Sequence, residues 1–167
     1  MLGLNSRKEA TKRRLLSALI ILGGILLDQV SKFLAVRFLA PVGSVPLWRG
    51  VLHLTYVENR GAAFGMLSDK RWLFMVISTV AVVGIGVYLF AAKKIPLLSA
   101  VALSMIVSGG IGNMIDRVML GYVVDFIDFT LIHFAVFNGA DSFVCVGAGL
   151  MVLSLLLEII REKKENA

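Results

Sequence analysis

Charge is what this 167-residue sequence is short of. Asp, Glu, Lys and Arg make up 17% of it, against about 25% in soluble domains. Acids are the scarcer sign, 11 against 17 basic residues. There is one cysteine, Cys145, and there are two histidines, His53 and His133. A single cysteine excludes an internal disulfide and any cysteine-based metal motif. Within its apolar run Cys145 reads as a small packing residue. The isolated histidines form no His-Glu-x-x-His pair, which argues against a zinc peptidase. There is no Gly-x-Ser-x-Gly elbow and no arguable Ser–His pairing, which argues against a serine hydrolase. No metal and no cofactor are expected.

What the sequence has is apolar length. Hydrophobic residues make up 58%, mean hydropathy is +0.87, and the apolar residues fall in long blocks. A helix needs about 20 apolar residues to cross the hydrocarbon layer. Four segments qualify, at about residues 15–38, 72–92, 96–119 and 142–160. The first is too long for a cleaved signal core, carries Asp28 and Lys32, and lacks a small-x-small site after it. The sequence therefore predicts one α-helical, multi-pass membrane domain over 1–167.

The net charge of +6 and a pI near 9.8 raise nucleic acid as a partner, but position argues otherwise. Ten basic residues, Arg7, Lys8, Lys12, Arg13, Arg14, Lys93, Lys94, Arg161, Lys163 and Lys164, sit in short segments beside the apolar blocks. The positive-inside rule puts these segments and both termini in the cytoplasm. Residues 39–71 and 120–141 then form outer loops. Residues 51–57, 122–129 and 132–137 are β-branched and aromatic and read as strands, so a small extracytoplasmic sheet on the membrane surface is expected. Trp48 and Trp72 suit the interfacial aromatic belt.

Seven acids lie away from the cytoplasmic ends: Asp28, Glu58, Asp69, Asp116, Asp125, Asp128 and Asp141. All but Asp69 lie in or beside spans, toward one membrane face, and ionisable groups at such depth default to functional readings. Asp28 and Lys32 are four apart and share a helix face, so they read as an ion pair that seats the span or orients a neighbour. Residues 59–64, Asn-Arg-Gly-Ala-Ala-Phe, read equally as a turn and as a backbone-close wall for an extended peptide or headgroup. Asn113 and Arg117, also four apart, can both bond carbonyls or carboxylates; Asp116 and Arg117 read as a structural pair. Asp125 and Asp128 sit in the strongly apolar run Val-Asp-Phe-Ile-Asp-Phe. Asp141 follows Phe137-Asn138-Gly139-Ala140 and could simply cap a helix. Two carboxylates brought together in a low-dielectric site share one proton. One can then take a proton from water while the other donates to a carbonyl, as in aspartic peptidases.

These motifs, in order, resemble the bacterial lipoprotein signal peptidase (signal peptidase II) family: Asp28-x-x-x-Lys32, Asn59-Arg60-Gly61-Ala62-Ala63-Phe64, Gly109-Gly110-x-Gly112-Asn113-x-x-Asp116-Arg117, Val124-Asp125-Phe126-Ile127-Asp128-Phe129 and Phe137-Asn138-x-Ala140-Asp141. The resemblance implies an inner-membrane aspartyl endopeptidase that cuts prolipoproteins just before a diacylglyceryl-modified cysteine. It implies Asp125 and Asp141 as the catalytic pair and Asn59, Gly61, Asn113, Arg117 and Asn138 as substrate-binding residues. Asp28, Lys32, Asp116 and Asp128 would support them. It further implies an outward-facing site, contact with membrane lipid, inhibition by globomycin, a monomer and no nucleic-acid partner. One departure is visible: no proline stands near Ala135, where the family pattern has one. Two other classes remain open, a small proton-coupled transporter using the clustered carboxylates and a non-catalytic lipid-binding module.

Overall fold

The computed structural model describes residues 2–61 and 71–166. The second half of the Asn59–Phe64 motif, residues 62–64, and Asp69 lie outside the described residues. In chain order, α1 spans Leu2–Leu34, β1 Ser44–Trp48, β2 Leu52–Asn59, α2 Arg71–Ala91, α3 Leu97–Met119, β3 Val123–Asp128 and α4 Gly139–Glu165.

Among the described residues, three helical stretches are long and apolar enough to cross a membrane, Arg7–Leu39, Leu97–Met119 and Gly139–Glu165, and α2 carries a shorter apolar stretch, Met75–Ala91. Lipid offers no hydrogen bonds, so apolar runs of this length satisfy their backbone internally as helices. Large apolar side chains line the outside. Leu19, Leu22 and Leu26 on α1, and Leu153, Leu155 and Leu156 on α4, are all exposed. Such a surface suits a hydrocarbon solvent and not water.

The inside is built around α3. Its Ala100, Leu103 and Val107 form the core with Ile21 of α1, Leu89 of α2 and Ile95. Small residues let the backbones approach closely. A Cβ at Gly109 would collide with the carbonyl oxygen of Ala140, and one at Gly112 would lie 2.5 Å from Asp28 Oδ2. Buried serine hydroxyls tie the helices together: Ser99 Oγ lies 2.8 Å from Ser154 Oγ, and Ser108 Oγ donates to Ile21 O at 3.2 Å.

The ends of α2 and α3 fall within one residue of the predicted spans. The outer two helices differ. α1 starts at Leu2 rather than near residue 15, so Arg7 to Arg14 lie on the helix and not in a tail. It closes in a π-helical turn, Ala35–Leu39, with Ala40 N donating to Ala35 O at 2.9 Å. α4 starts at Gly139, three residues before the predicted 142, because Asn138 caps it.

The three strands form an antiparallel sheet in the order β1-β2-β3. Its face packs Val124, Leu54 and Phe126 on Ala35 and Leu39, seating the sheet on the end of α1. Between β2 and β3 the register runs Leu54↔Ile127 and then Val57↔Asp125. One extra residue in β2 makes a bulge there. β1 was not expected from the sequence. Residues 132–137, expected as a strand, instead leave the 3₁₀ turn Thr130–Ile132 through a left-handed His133 (φ 49°) and meet β3 in a single bridge between Ile127 and Phe137. The bridge folds the chain back on β3, with Phe129 and Phe137 stacked at 5.8 Å. That return delivers Asn138 and α4 to the flank of Asp125.

Candidate active site

The site is assembled where the last turns of α1 and α3, the ends of β2 and β3, and the first turn of α4 converge. Asn138 is its centre. The Asn138 side-chain oxygen accepts from Asp141 N at 2.9 Å, and Asp141 Oδ2 accepts from Asn138 N at 3.2 Å. This is a capping box. Asp141 is therefore the third helical residue and not the cap that its position suggested. With its oxygen held by a backbone N–H, the Asn138 amide nitrogen must face the other way. It donates to Asp125 Oδ1 at 2.7 Å, Asn113 Oδ1 at 3.1 Å and Val124 O at 3.3 Å. One wholly buried residue thus bonds both candidate acids.

Asp125 is 1% exposed. Its second oxygen accepts from Asn59 Nδ2 at 2.9 Å. Asn59 has no freedom to flip, because its own oxygen accepts from Gly61 N at 3.0 Å. Burial pushes the Asp125 carboxyl up to about 6, and the charge of Asp141 pushes the same way. The Asn59 and Asn138 amides and the Lys32 charge offset part of this.

Asp141 Oδ1 accepts from Asn113 Nδ2 at 2.7 Å. The oxygen of that amide accepts from Lys32 Nζ at 2.9 Å. Lys32 is buried and also meets Asp28 Oδ2 at 2.9 Å and Asp116 Oδ2 at 3.1 Å. The Asp28–Lys32 pair expected from the sequence is present. The expected Asp116–Arg117 pair does not form. Successive helix residues point about 100° apart, so Asp116 turns to Lys32 while Arg117 Nη1 donates to Asn113 O at 3.4 Å. The two buried acids also hold backbone: Ala140 N donates to Asp28 Oδ1 at 2.8 Å and Val124 N to Asp116 Oδ2 at 3.0 Å.

Asp125 and Asp141 open on one cavity of about 520 Å³, whose wall also carries Asn59, Gly61, Asn113 and Arg117. Four of the five predicted binding residues are thus brought together. Asn138 is not on the wall; it lies behind it as a tie. Asp128 is not in the site: it faces away along β3 and accepts from Thr55 Oγ1 at 2.8 Å, as a residue three along a strand must. Residues 134–137, with Val146, make the apolar part of the wall.

Sequence reasoning missed three things. Cys145 is exposed and lines this cavity, one turn after Asp141, and is not a packing residue; the four-residue spacing was the available signal. Gln29 donates to Asp28, Asp116 and Gly112 O, at 3.2, 3.1 and 3.2 Å, and its place beside Asp28 was the only hint. The phenylalanine return was hidden in a segment read as strand.

Two carboxylates held by amides of fixed orientation, on a half-apolar cavity where burial raises the pKa of Asp125, are suited to acid–base hydrolysis. A family model described as signal peptidase (SPase) II matches residues 20–157. The chain belongs to the signal peptidase II family. It is 56% identical to a lipoprotein signal peptidase of Caldanaerobacter subterraneus over 74% of this chain and 84% of that one. It is 46% identical to one of Brevibacillus brevis, over 80% and 90% respectively. A solved structure described as a bacterial membrane enzyme superposes with a TM-score of 0.76 at 34% identity, covering 86% of this chain and 88% of the other. This signal peptidase II family member is accordingly a peptidase of a bacterial membrane, and the transporter reading finds no support.

Proposed function

We propose that Asp125 and Asp141 form the aspartyl pair with which this peptidase removes signal peptides from diacylglyceryl-modified prolipoproteins, cutting just before the lipidated cysteine. The observation that carries the reading is that both carboxylates bond Asn138 and face the same cavity. The ionised member takes a proton from water, and the resulting hydroxide adds to the scissile carbonyl carbon. The protonated member donates to the carbonyl oxygen. Collapse of the tetrahedral species passes a proton to the departing amide nitrogen of the cysteine, breaks the C–N bond and leaves one proton on the pair. Arg117, Asn59 and Asn113 on the wall supply donors for the peptide carbonyls. The apolar wall at residues 134–137 and Val146 suits the signal sequence and acyl chains.

In this reading the whole chain is one domain with four spans, α2 included, and both termini are cytoplasmic. The pair opens at the extracytoplasmic face of the inner membrane, the active form is a monomer in contact with lipid, and globomycin occupies the cavity. Supporting the orientation, the basic clusters and the acids lie at opposite ends of α1 and α3. The test is a gel-shift cleavage assay on a lipid-modified precursor. Asp125→Asn and Asp141→Asn should each abolish cleavage while the protein stays folded, and globomycin should block the parent. Normal turnover in either variant refutes the pair.

A further inference from the structure

The end of the bundle remote from the acids holds a second polar centre. The first turns of α1 bring Arg7, Lys12, Arg13 and Arg14 beside Lys93 and Lys94 in the α2–α3 turn. From Leu97 to Arg117, α3 advances about 30 Å, so this region is a full bilayer core away from the acid pair. Two adjoining cavities, of about 660 and 620 Å³, share Ala10, Lys93 and Lys94 on their walls. Arg7 and Arg14 line the second.

Arg13 is buried and builds the floor. Its Nη2 donates to Ala92 O at 2.6 Å and its Nη1 reaches Lys93 O and Ile95 O at 3.5 Å. A cation there complements the C-terminal carbonyls of α2. Its Nε is buried without a hydrogen-bond partner. Around it, Arg7, Arg14, Lys93 and Lys94 are exposed and have no acidic partner among the described residues. Glu9 is the sole acid on either wall and is engaged by Lys12 at 3.4 Å. Like charges gathered this closely repel and call for a counter-anion. The rest of the first cavity is apolar: Leu16, Ile95, Pro96 and Leu97, with Leu97 61% exposed. A ligand matching both halves carries an anionic phosphate and a hydrocarbon chain. Basic pockets between spans take acidic lipid headgroups on these grounds.

We propose that this groove between α1 and the α2–α3 turn binds an acidic phospholipid, its phosphate against Arg7, Arg14, Lys93 and Lys94 and its acyl chain along Leu16 and Leu97. The binding does not depend on the assignment of the acid pair. A zwitterionic lipid is disfavoured, because its own ammonium cancels the attraction. Free phosphate is disfavoured, because it leaves the apolar wall uncovered.

The test follows the melting temperature of the detergent-purified full chain with added phosphatidylglycerol, phosphatidylcholine of the same acyl chains, or inorganic phosphate. Phosphatidylglycerol should raise it by several degrees and the other two should not. Lys93→Gln/Lys94→Gln should lose at least half of that shift. In the parent protein, raising ionic strength from about 0.05 to about 0.5 M should remove the shift, a readout that needs no variant. Equal shifts with phosphatidylcholine or phosphate, an unchanged shift in the double variant, or salt insensitivity would each overturn the proposal.

Discussion

Lys32 reaches Asn113 across the bundle, its Nζ 2.9 Å from the amide oxygen, and with Asn138 Nδ2 at 3.1 Å from the same oxygen it fixes which way that amide points. A lysine only donates. The Asn113 oxygen must therefore face it, and the nitrogen must face Asp141. Lys32→Met leaves Asn138 Nδ2 as the remaining donor to that oxygen and leaves Asp28 and Asp116 as buried carboxylates without their counter-charge. We expect a stability loss of about 3–5 kcal/mol and loss of cleavage. In Lys32→Met/Asp28→Asn the stability loss should shrink while cleavage stays absent. Denaturation curves and the gel-shift assay measure the two effects separately.

Asn138 both caps α4 and holds Asp125, and the two roles are separable. Serine can accept the Asp141 N–H but is too short to reach Asp125. Asn138→Ser should therefore cost about 1 kcal/mol or less as a cap. Its kcat should fall on the order of 100-fold, the usual consequence of a catalytic group set about 1 Å off. Near-parental kcat in a folded Asn138→Ser protein would contradict the tie.

Protonation of Asp125 links to stability with a definite sign. Its folded pKa of about 6 lies above the ordinary value of about 3.9. The folded state therefore binds this proton more tightly, and the contribution to stability is fully present below about pH 4 and lost as pH rises through about 6. Asp125→Asn cannot titrate. Its stability relative to the parent should rise across that window and be flat above it, as melting curves taken between pH 4 and 8 will show. A constant difference would mean that Asp125 titrates as an exposed acid.

The close approach of α3 and α4 depends on Gly109. A methyl there meets the backbone carbonyl of Ala140, which cannot move aside as a flexible side chain can. Gly109→Ala should destabilise by about 1–3 kcal/mol or more and weaken cleavage through displacement of Asp141. Gly84→Ala has open space around the new Cβ and serves as the control, with both properties near parental.

Cys145 opens on the same cavity as the acids. A maleimide at its sulfur should block cleavage, and substrate analogues should slow the labelling. Cys145→Ala should keep its activity and become resistant to the reagent. Full activity of the labelled parent would place the substrate elsewhere.

The residues of the candidate site were legible in the sequence because each belongs to a short local motif, and the helices because lipid permits little else. What escaped depends on distance along the chain. Lys32 and Asn113 are far apart in sequence, so spacing could not pair them, whereas Asp116 and Arg117 are adjacent and looked paired. Strand β1 was hidden by Pro46, which an edge strand tolerates because its N–H side can face outward. Residues 132–137 have the composition of a strand, but their aromatics stack on one another and wall a cavity instead. The cap of α4 was misplaced by three residues because Asn and Asp both suit that position, and only the geometry of the return through Phe137 selects Asn138.

The bond from Ala140 N to Asp28 Oδ1 joins the start of α4 to the last turns of α1, one residue before Asp141. Bundle and acid pair are thus mechanically one object. A substitution anywhere along the α1–α4 seam that lets these helices slide will silence the enzyme well before it melts, so inactivity in such variants reports a shift in alignment rather than a missing chemical group.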